Sequence, residues 1–256
     1  MTSSHPNGPA IVLVQGSFQL PDVYSKLAEA LRDCGYQVFQ PPMPSLMMSN
    51  KPDFVLKSLE TDALAVRSKI IELVDAKRTV FVVMHSYGGL VGTEAVTEDL
   101  TAAHRQSQGE EGGVVHLFYF AAFILSKGQS VLNTFGNSPN HDVKPDGRFV
   151  LKNAAEVLYH DLPAKEAERW ASRLLYQAPK VQEYALTNEA FRFVPSTYLV
   201  CEKDRGPPPQ YQHMFGTKAG SKILSMQCGH SPMLSHTSEL TEMIVQAIKS
   251  VDGGSR

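Results

Sequence analysis

Six short, almost uninterrupted apolar runs punctuate the chain, at residues 10–14, 37–40, 79–84, 114–121, 196–201 and 222–227. Apolar runs of roughly four to eight residues bounded by polar or glycine-rich stretches are the pattern of strands buried on both faces, as in a parallel sheet. Between the first runs, residues 23–31 and 54–74 carry apolar positions at helical spacing, so strands and helices alternate. This alternation predicts an α/β fold: a doubly wound, mostly parallel sheet of about six strands with helices on both faces.

The alternation breaks over residues 127–194, where a Pro145-Asp146-Gly147 turn precedes a helix expected at 164–176 and no buried strand is expected. An insertion of that size reads as a small helical cap over the carboxyl edge of the sheet, where open parallel sheets bind ligands. The core is then 1–126 together with 195–256. Some of the cap aromatics Tyr159, Trp170, Tyr176, Tyr184, Phe191 and Phe193 are expected to face an apolar pocket. Residues 101–113 read as a loop, 237–250 as an amphipathic helix, and both chain ends as polar tails.

With 256 residues and 43% hydrophobic content, the chain can bury one large core. Its 24 basic and 26 acidic residues give a net charge of −2 without like-sign blocks, which argues against nucleic-acid or membrane-surface partners and for a small-molecule substrate. Cys34, Cys201 and Cys228 are odd in number and lack C-x-x-C spacing, so neither a disulfide framework nor a zinc site is expected. The N-terminus has no basic, apolar signal pattern, and no apolar run approaches the roughly 20 residues that span a bilayer. The expectation is a soluble cytoplasmic protein, with a homodimer left open.

The run 79–84 leads directly into His85-Ser86-Tyr87-Gly88-Gly89, an apolar strand turning into a small-residue helix. This is the context of a nucleophile elbow: the hydroxyl must project from the sheet edge while the next backbone N–H points at the same spot. The pattern departs from G-x-S-x-G at its first glycine, which is Met84. Hydrolases with such an elbow place the base last in the chain, and His230 follows the last strand in Gly229-His230-Ser231-Pro232. His85 is expected to point down from the elbow and His213 to lie in a helix, whereas His104, His141 and His160 are expected to be ordinary surface histidines. Tyr87 supplies one oxyanion N–H by position, and Ser17, in the glycine-containing loop after the first strand, supplies the other.

The segments Val-Leu-Val-Gln-Gly-Ser-Phe (12–18), Met-His-Ser-Tyr-Gly-Gly (84–89), Tyr-Leu-Val-Cys-Glu-Lys-Asp-Arg-Gly (198–206) and Gly-His-Ser-Pro-Met-Leu (229–234) resemble the methylesterase and hydroxynitrile lyase branch of the α/β-hydrolases and its microbial relatives. The resemblance spans nearly the whole chain, including Tyr159-His-Asp-Leu-Pro163. It implies the α/β-hydrolase fold, a triad carried onto Ser86, Asp204 and His230, no cofactor and no metal. Glu202 and Asp204 both follow the strand at 196–201; the family's Asp-Lys/Arg-Gly and the shorter reach of aspartate select Asp204, leaving Glu202 as a solvated surface charge. Two positions depart from the family: Gln15 stands where histidine is usual, and Met84 where glycine is usual.

The expected activity is therefore hydrolysis of a small, fairly apolar carboxylic ester or lactone through an acyl-enzyme. A second reading keeps the pocket for a lyase or cyclase step, as in natural-product biosynthesis. Hydroxynitrile lyases carry threonine at the position of Gly16 and lysine at that of Ser231, which counts against that particular lyase reaction. A third reading, a catalytically silent binding protein, is disfavoured by the intact triad.

Overall fold

A computed structural model of the chain describes residues 8–47 and 51–253; the polar tails expected at either end fall largely outside them. All six apolar runs form strands: β1 (Ala10–Val14), β2 (Val38–Phe39), β3 (Thr79–His85), β4 (Gly113–Phe120), then, after a two-stranded hairpin of β5 (His141–Val143) and β6 (Phe149–Leu151), β7 (Ser196–Cys201) and β8 (Lys222–Met226). The six form one sheet in the order β2-β1-β3-β4-β7-β8, with every neighbouring pair parallel.

Period-two alternation sends the strand side chains into two cores. Val12, Val14, Val82, Met84 and Val200 pack on one face; Ile11, Leu13, Phe81, Val83 and Leu199 pack on the other. The first face is covered by α2 (Leu59–Asp75) and α3 (Gly88–Ala95), and the second by α1 (Ser25–Asp33) and α10 (Thr237–Gly253). On α10 the buried positions Leu240, Ile244 and Ile248 share one helical face, and each contributes about 1.5–3 kcal/mol by leaving water.

Between these lie α4 (Ala102–Ser107), α5 (Val131–Phe135), α6 (Ala154–Leu158), α7 (Ala164–Ala171), α8 (Pro209–Lys218) and α9 (Pro232–Ser235). The chain leaves β1 toward β2 on one side and returns to β3 on the other. The loops after β1 and β3 therefore part at their carboxyl ends and open a crevice at that switch point. No helix among the described residues is long and apolar enough to cross a membrane.

Four local expectations change. The helix expected over 54–74 is a 3-10 turn, Phe54–Leu56, followed by α2, because the Ser58 hydroxyl accepts the Thr61 N–H and starts a new helix there. Residues 101–113 contain α4, which Thr101 caps by accepting the His104 N–H. The segment 127–194 holds the β5–β6 hairpin as well as helices, folded around the expected turn at Asp146-Gly147. The helix expected over 164–176 stops at Ala171. Past it the chain needs its backbone elsewhere: Leu175 N–H donates to Phe18 O (2.7 Å), and Gln177 exchanges two hydrogen bonds with Phe149.

Candidate active site

Strand β3 ends at His85, and Ser86 takes a left-handed backbone with φ of 52°. A non-glycine residue in that region is costly and persists only where its surroundings fix it. Here Ser86 N–H donates to Phe120 O (3.3 Å), while Ser86 O accepts from Gly89 (2.9 Å) and Phe123 (3.1 Å). The small residues beyond it let the turn close. A Cβ on Gly89 would lie 2.6 Å from Phe123 O, and one on Gly88 would lie 2.6 Å from Gln15 O. The N-terminus of α3 points at the same spot and favours negative charge developing there.

The Met84 departure has a visible accommodation: its side chain occupies space that a Cβ on Gly92 of α3 would overlap. Gln15 is buried too. Its amide donates to Gln19 O (3.0 Å) and its carbonyl accepts from Gln40 (3.2 Å), tying down the loop that carries Gly16 and Ser17. At Gly16, a Cβ would lie 2.9 Å from both His85 Nδ1 and Ser86 Cβ, so a threonine does not fit without displacing them.

His230 lies in the loop after β8, and its Nδ1 sits 2.9 Å from Asp204 Oδ2, with both side chains almost wholly buried. Asp204 has two further donors, Gly206 N–H on Oδ1 (2.7 Å) and Gln212 Nε2 on Oδ2 (2.8 Å). Three hydrogen bonds on one buried carboxyl group fix its plane. Against such an acceptor Nδ1 carries the proton, which leaves Nε2 as the unprotonated ring nitrogen. Glu202, by contrast, meets His213 (3.0 Å) and Ser225 (2.8 Å) and does not approach His230, so it is half-buried and paired rather than a solvated charge.

His85 does point down from the elbow, into a polar layer beneath the site. Its Nε2 lies 2.9 Å from His230 O and its Nδ1 2.7 Å from the Tyr24 hydroxyl. Because a carbonyl only accepts, Nε2–H donates to His230 O, and Nδ1 is left as an acceptor that shares the single Tyr24 hydroxyl proton with Gln19 Oε1 (3.0 Å). Burial, reinforced by the neighbouring His230, holds the His85 imidazole well below its ordinary range and keeps it neutral. The Tyr24 oxygen in turn accepts the Gly16 N–H (2.8 Å). Among the described residues the N–H groups of Ser17 and Tyr87 have no such partner.

Ser17, Ser86, Tyr87 and His230 all line one cavity of about 370 Å³, within the range of small-molecule sites. Its aromatic wall comes from Phe18, Phe123, Phe135 and Phe149. None of the six cap aromatics expected to face it lines it. Tyr159 is buried beside Gln19, Tyr184 donates to Glu94, Trp170 lies beneath Arg169 and Arg173, and Tyr176 lies beneath Lys144 and Arg148. Phe191 and Phe193 pack in the core cluster, away from the cavity lining. His141, expected to be an ordinary surface histidine, lines the cavity with its ring against Phe18 and Phe149. Burial and then Lys152 lower its basicity. Gln212 is the other residue missed, and nothing in the sequence separates it from an ordinary helix glutamine.

A parallel sheet with a serine in a strained turn at its switch point and a carboxylate-held histidine lining the same cavity is the architecture of one large class of fold. The chain belongs to that class, the Alpha/beta hydrolase family, whose model matches residues 11–242. Over 248 residues it is 28% identical to the alpha/beta hydrolase nvfD of Aspergillus novofumigatus, spanning 93% of this chain and 96% of that one. Its fold is also that of polyneuridine aldehyde esterase (14% identity, TM-score 0.73, 94% and 99% of the two chains) and of the methylesterase MES16 from Arabidopsis (18%, 0.72, 94% and 99%).

Proposed function

We propose that the protein is a serine-nucleophile carboxylic ester hydrolase acting on a small, fairly apolar ester or lactone. The observation that carries this reading is the meeting, at one cavity, of Ser86 in its strained turn and His230 held by Asp204. Ser86 Oγ attacks the ester carbonyl as His230 Nε2 takes its proton, and Asp204 balances the imidazolium. The Ser17 and Tyr87 N–H groups hold the tetrahedral oxyanion. His230 then returns the proton to the departing alkoxide, leaving an acyl-Ser86. Water, deprotonated by the same His230, attacks that acyl carbon; the acid leaves and Ser86 recovers its proton.

The aromatic wall favours an apolar acyl or alcohol group. Two of the structures with this fold are esterases by name. The lack of space for a side chain at Gly16 counts against hydroxynitrile lyase chemistry. The test is fluorophosphonate labelling beside a panel of p-nitrophenyl and methyl esters. Labelling and turnover are both expected, and both are lost in Ser86→Ala. Labelling retained in that variant refutes the nucleophile, and labelling without turnover of any ester refutes the hydrolase.

A further inference from the structure

The segment Tyr159-His-Asp-Leu-Pro163 plays no part in the serine chemistry, yet its aspartate meets the turn that carries His230. Asp161 lies between α6 and α7, with its side chain only 13% exposed. One of its oxygens, Oδ2, accepts from both ends of the 229–235 turn: from Gly229 N–H (2.7 Å) and from the Ser235 hydroxyl (2.8 Å). The Ser235 proton has a second acceptor, Ser231 O, but at 3.4 Å it is the poorer one. With that proton committed, Ser235 Oγ accepts from His236 Nδ1 (2.9 Å), so the donors run from His236 to Ser235 to Asp161. The approach at Gly229 is close. A Cβ there would lie 2.7 Å from Asp161 Oδ1 and 2.8 Å from His160 Cε1, so a side chain at this position would push the turn off the carboxyl.

We infer that Asp161 is a positioning residue for His230: by tying both ends of its turn to one oxygen, it sets where the imidazole stands in the cavity. The inference rests on the hydrolase reading and adds to it a residue that touches neither substrate nor reacting atoms. Gly229 immediately precedes His230, so any shift of the Gly229 N–H carries directly into the His230 backbone. The core holds the rest of that turn, His230 O through His85 (2.9 Å) and Ser231 Oγ through Gln19 (3.0 Å). Asp161 adds a hold from the segment 127–194, three residues past Leu158, which lines the cavity together with Val157. One short stretch therefore meets the cavity with Val157 and Leu158 and the base turn with Asp161. The effect on rate exceeds that of one hydrogen bond on stability, because a displacement of about 1 Å at a reacting group costs on the order of 100-fold.

The test compares Asp161→Ala, which removes both bonds, with Asp161→Asn, whose amide oxygen can take the place of Oδ2 and accept both. kcat and KM are measured on the ester turned over fastest in the p-nitrophenyl and methyl ester panel, per site labelled to completion by fluorophosphonate, so that unfolded protein does not count. Asp161→Ala lowers kcat by about 10- to 100-fold with KM within about twofold, and Asp161→Asn restores kcat to within about fivefold of the parent. A residue that served stability alone would leave kcat per site where it was. Unchanged kcat in Asp161→Ala, a loss carried by KM, or a loss that Asp161→Asn does not restore overturns the inference. If Asp161→Ala does not fold, Ser235→Ala decides: it removes one of the two bonds and lowers kcat by a few-fold at unchanged KM, and an unchanged kcat there overturns the inference. The rate of fluorophosphonate labelling separates the two readings, because it needs His230 but no turnover. Ester turnover with equal kcat and labelling rate in the parent and Asp161→Ala removes the positioning role alone. No turnover of any ester, with labelling slowed in Asp161→Ala and restored in Asp161→Asn, removes the hydrolase reading alone. A parent that neither labels nor turns over an ester removes both.

Discussion

Replacing Asp62 by asparagine should change how the stability of this protein depends on pH. The carboxyl is fully buried at the end of three hydrogen bonds, from Ser45 N–H (2.8 Å), the Ser45 hydroxyl (2.5 Å) and the Tyr87 hydroxyl (2.9 Å). Desolvation outweighs these donors and lifts it from 3.8 to about 6. In the unfolded chain it releases its proton near the lower value, so between the two the native state binds more protons, and stability falls as pH rises. Each pH unit of that window is worth about 1.4 kcal/mol, giving a loss of about 3 kcal/mol that is complete once the pH exceeds the folded value.

The asparagine side chain cannot ionise, so this part of the pH dependence disappears with the substitution. The absolute stability of Asp62→Asn also contains an offset, since its amide must donate where the carboxylate accepted. The informative quantity is therefore the variant's stability minus that of the parent, from urea unfolding across about pH 4 to 7.5. That difference should rise by about 2.4 kcal/mol between those pH values, with unchanged dependence on urea concentration. A flat difference, or one that falls with pH, would mean that the three donors win over burial and that the carboxyl is not held protonated above its ordinary range.

Asp204→Asn should lower ester turnover by on the order of 10⁴-fold by mis-setting the His230 tautomer, whereas Glu202→Gln, bonded to His213 and Ser225, should change it by no more than a few-fold; the reverse ranking in kcat/KM would transfer the acid to Glu202. Phe135→Ala should alter which acyl or alcohol group is preferred, because Phe135 lines the cavity, while Trp170→Ala, outside it, should leave the ratios of kcat/KM among esters unchanged. Gly92→Ala should cost about 1–3 kcal/mol in urea unfolding through its overlap with Met84, and Met84→Ala in the same chain should restore part of that loss. Strictly additive losses would show that the two side chains do not compete for one space.

What can be read from the sequence is what local order dictates. A strand buried on both faces must be apolar throughout, so β1, β3, β4 and β7 announce themselves. A serine placed between such a strand and a run of glycines points to an elbow, because a plain strand-to-helix turn does not need that combination. His230 is legible for a related reason: in a parallel sheet every strand's carboxyl end lies at the same edge, so a histidine just past β8 shares the edge with Ser86. What cannot be read depends on which distant segments meet. Gln212 looks like any polar residue until the fold sets it on Asp204. The aromatics mislead because composition says that rings are present in the segment 127–194 but not which way the chain turns them. Trp170 and Tyr159 pack against the core, and Phe135 and Phe149 form the wall.

The two departures from the family pattern show why a motif is better read as a statement about space than about letters. The first glycine of G-x-S-x-G is useful because the end of β3 and the helix after the serine pack closely, which leaves little room for a side chain between them. That room can come from either element. Here the strand keeps a methionine, and Gly92, one turn into α3, gives up its side chain so that the thioether fits. Gln15 follows the same logic in polar terms. A buried residue before the Gly16–Ser17 loop must fasten that loop, and an amide that donates to Gln19 O while accepting from Gln40 does so without an imidazole. In both places the backbone around Ser86 and Ser17 is held by a different side chain, so neither departure by itself argues for a change of chemistry.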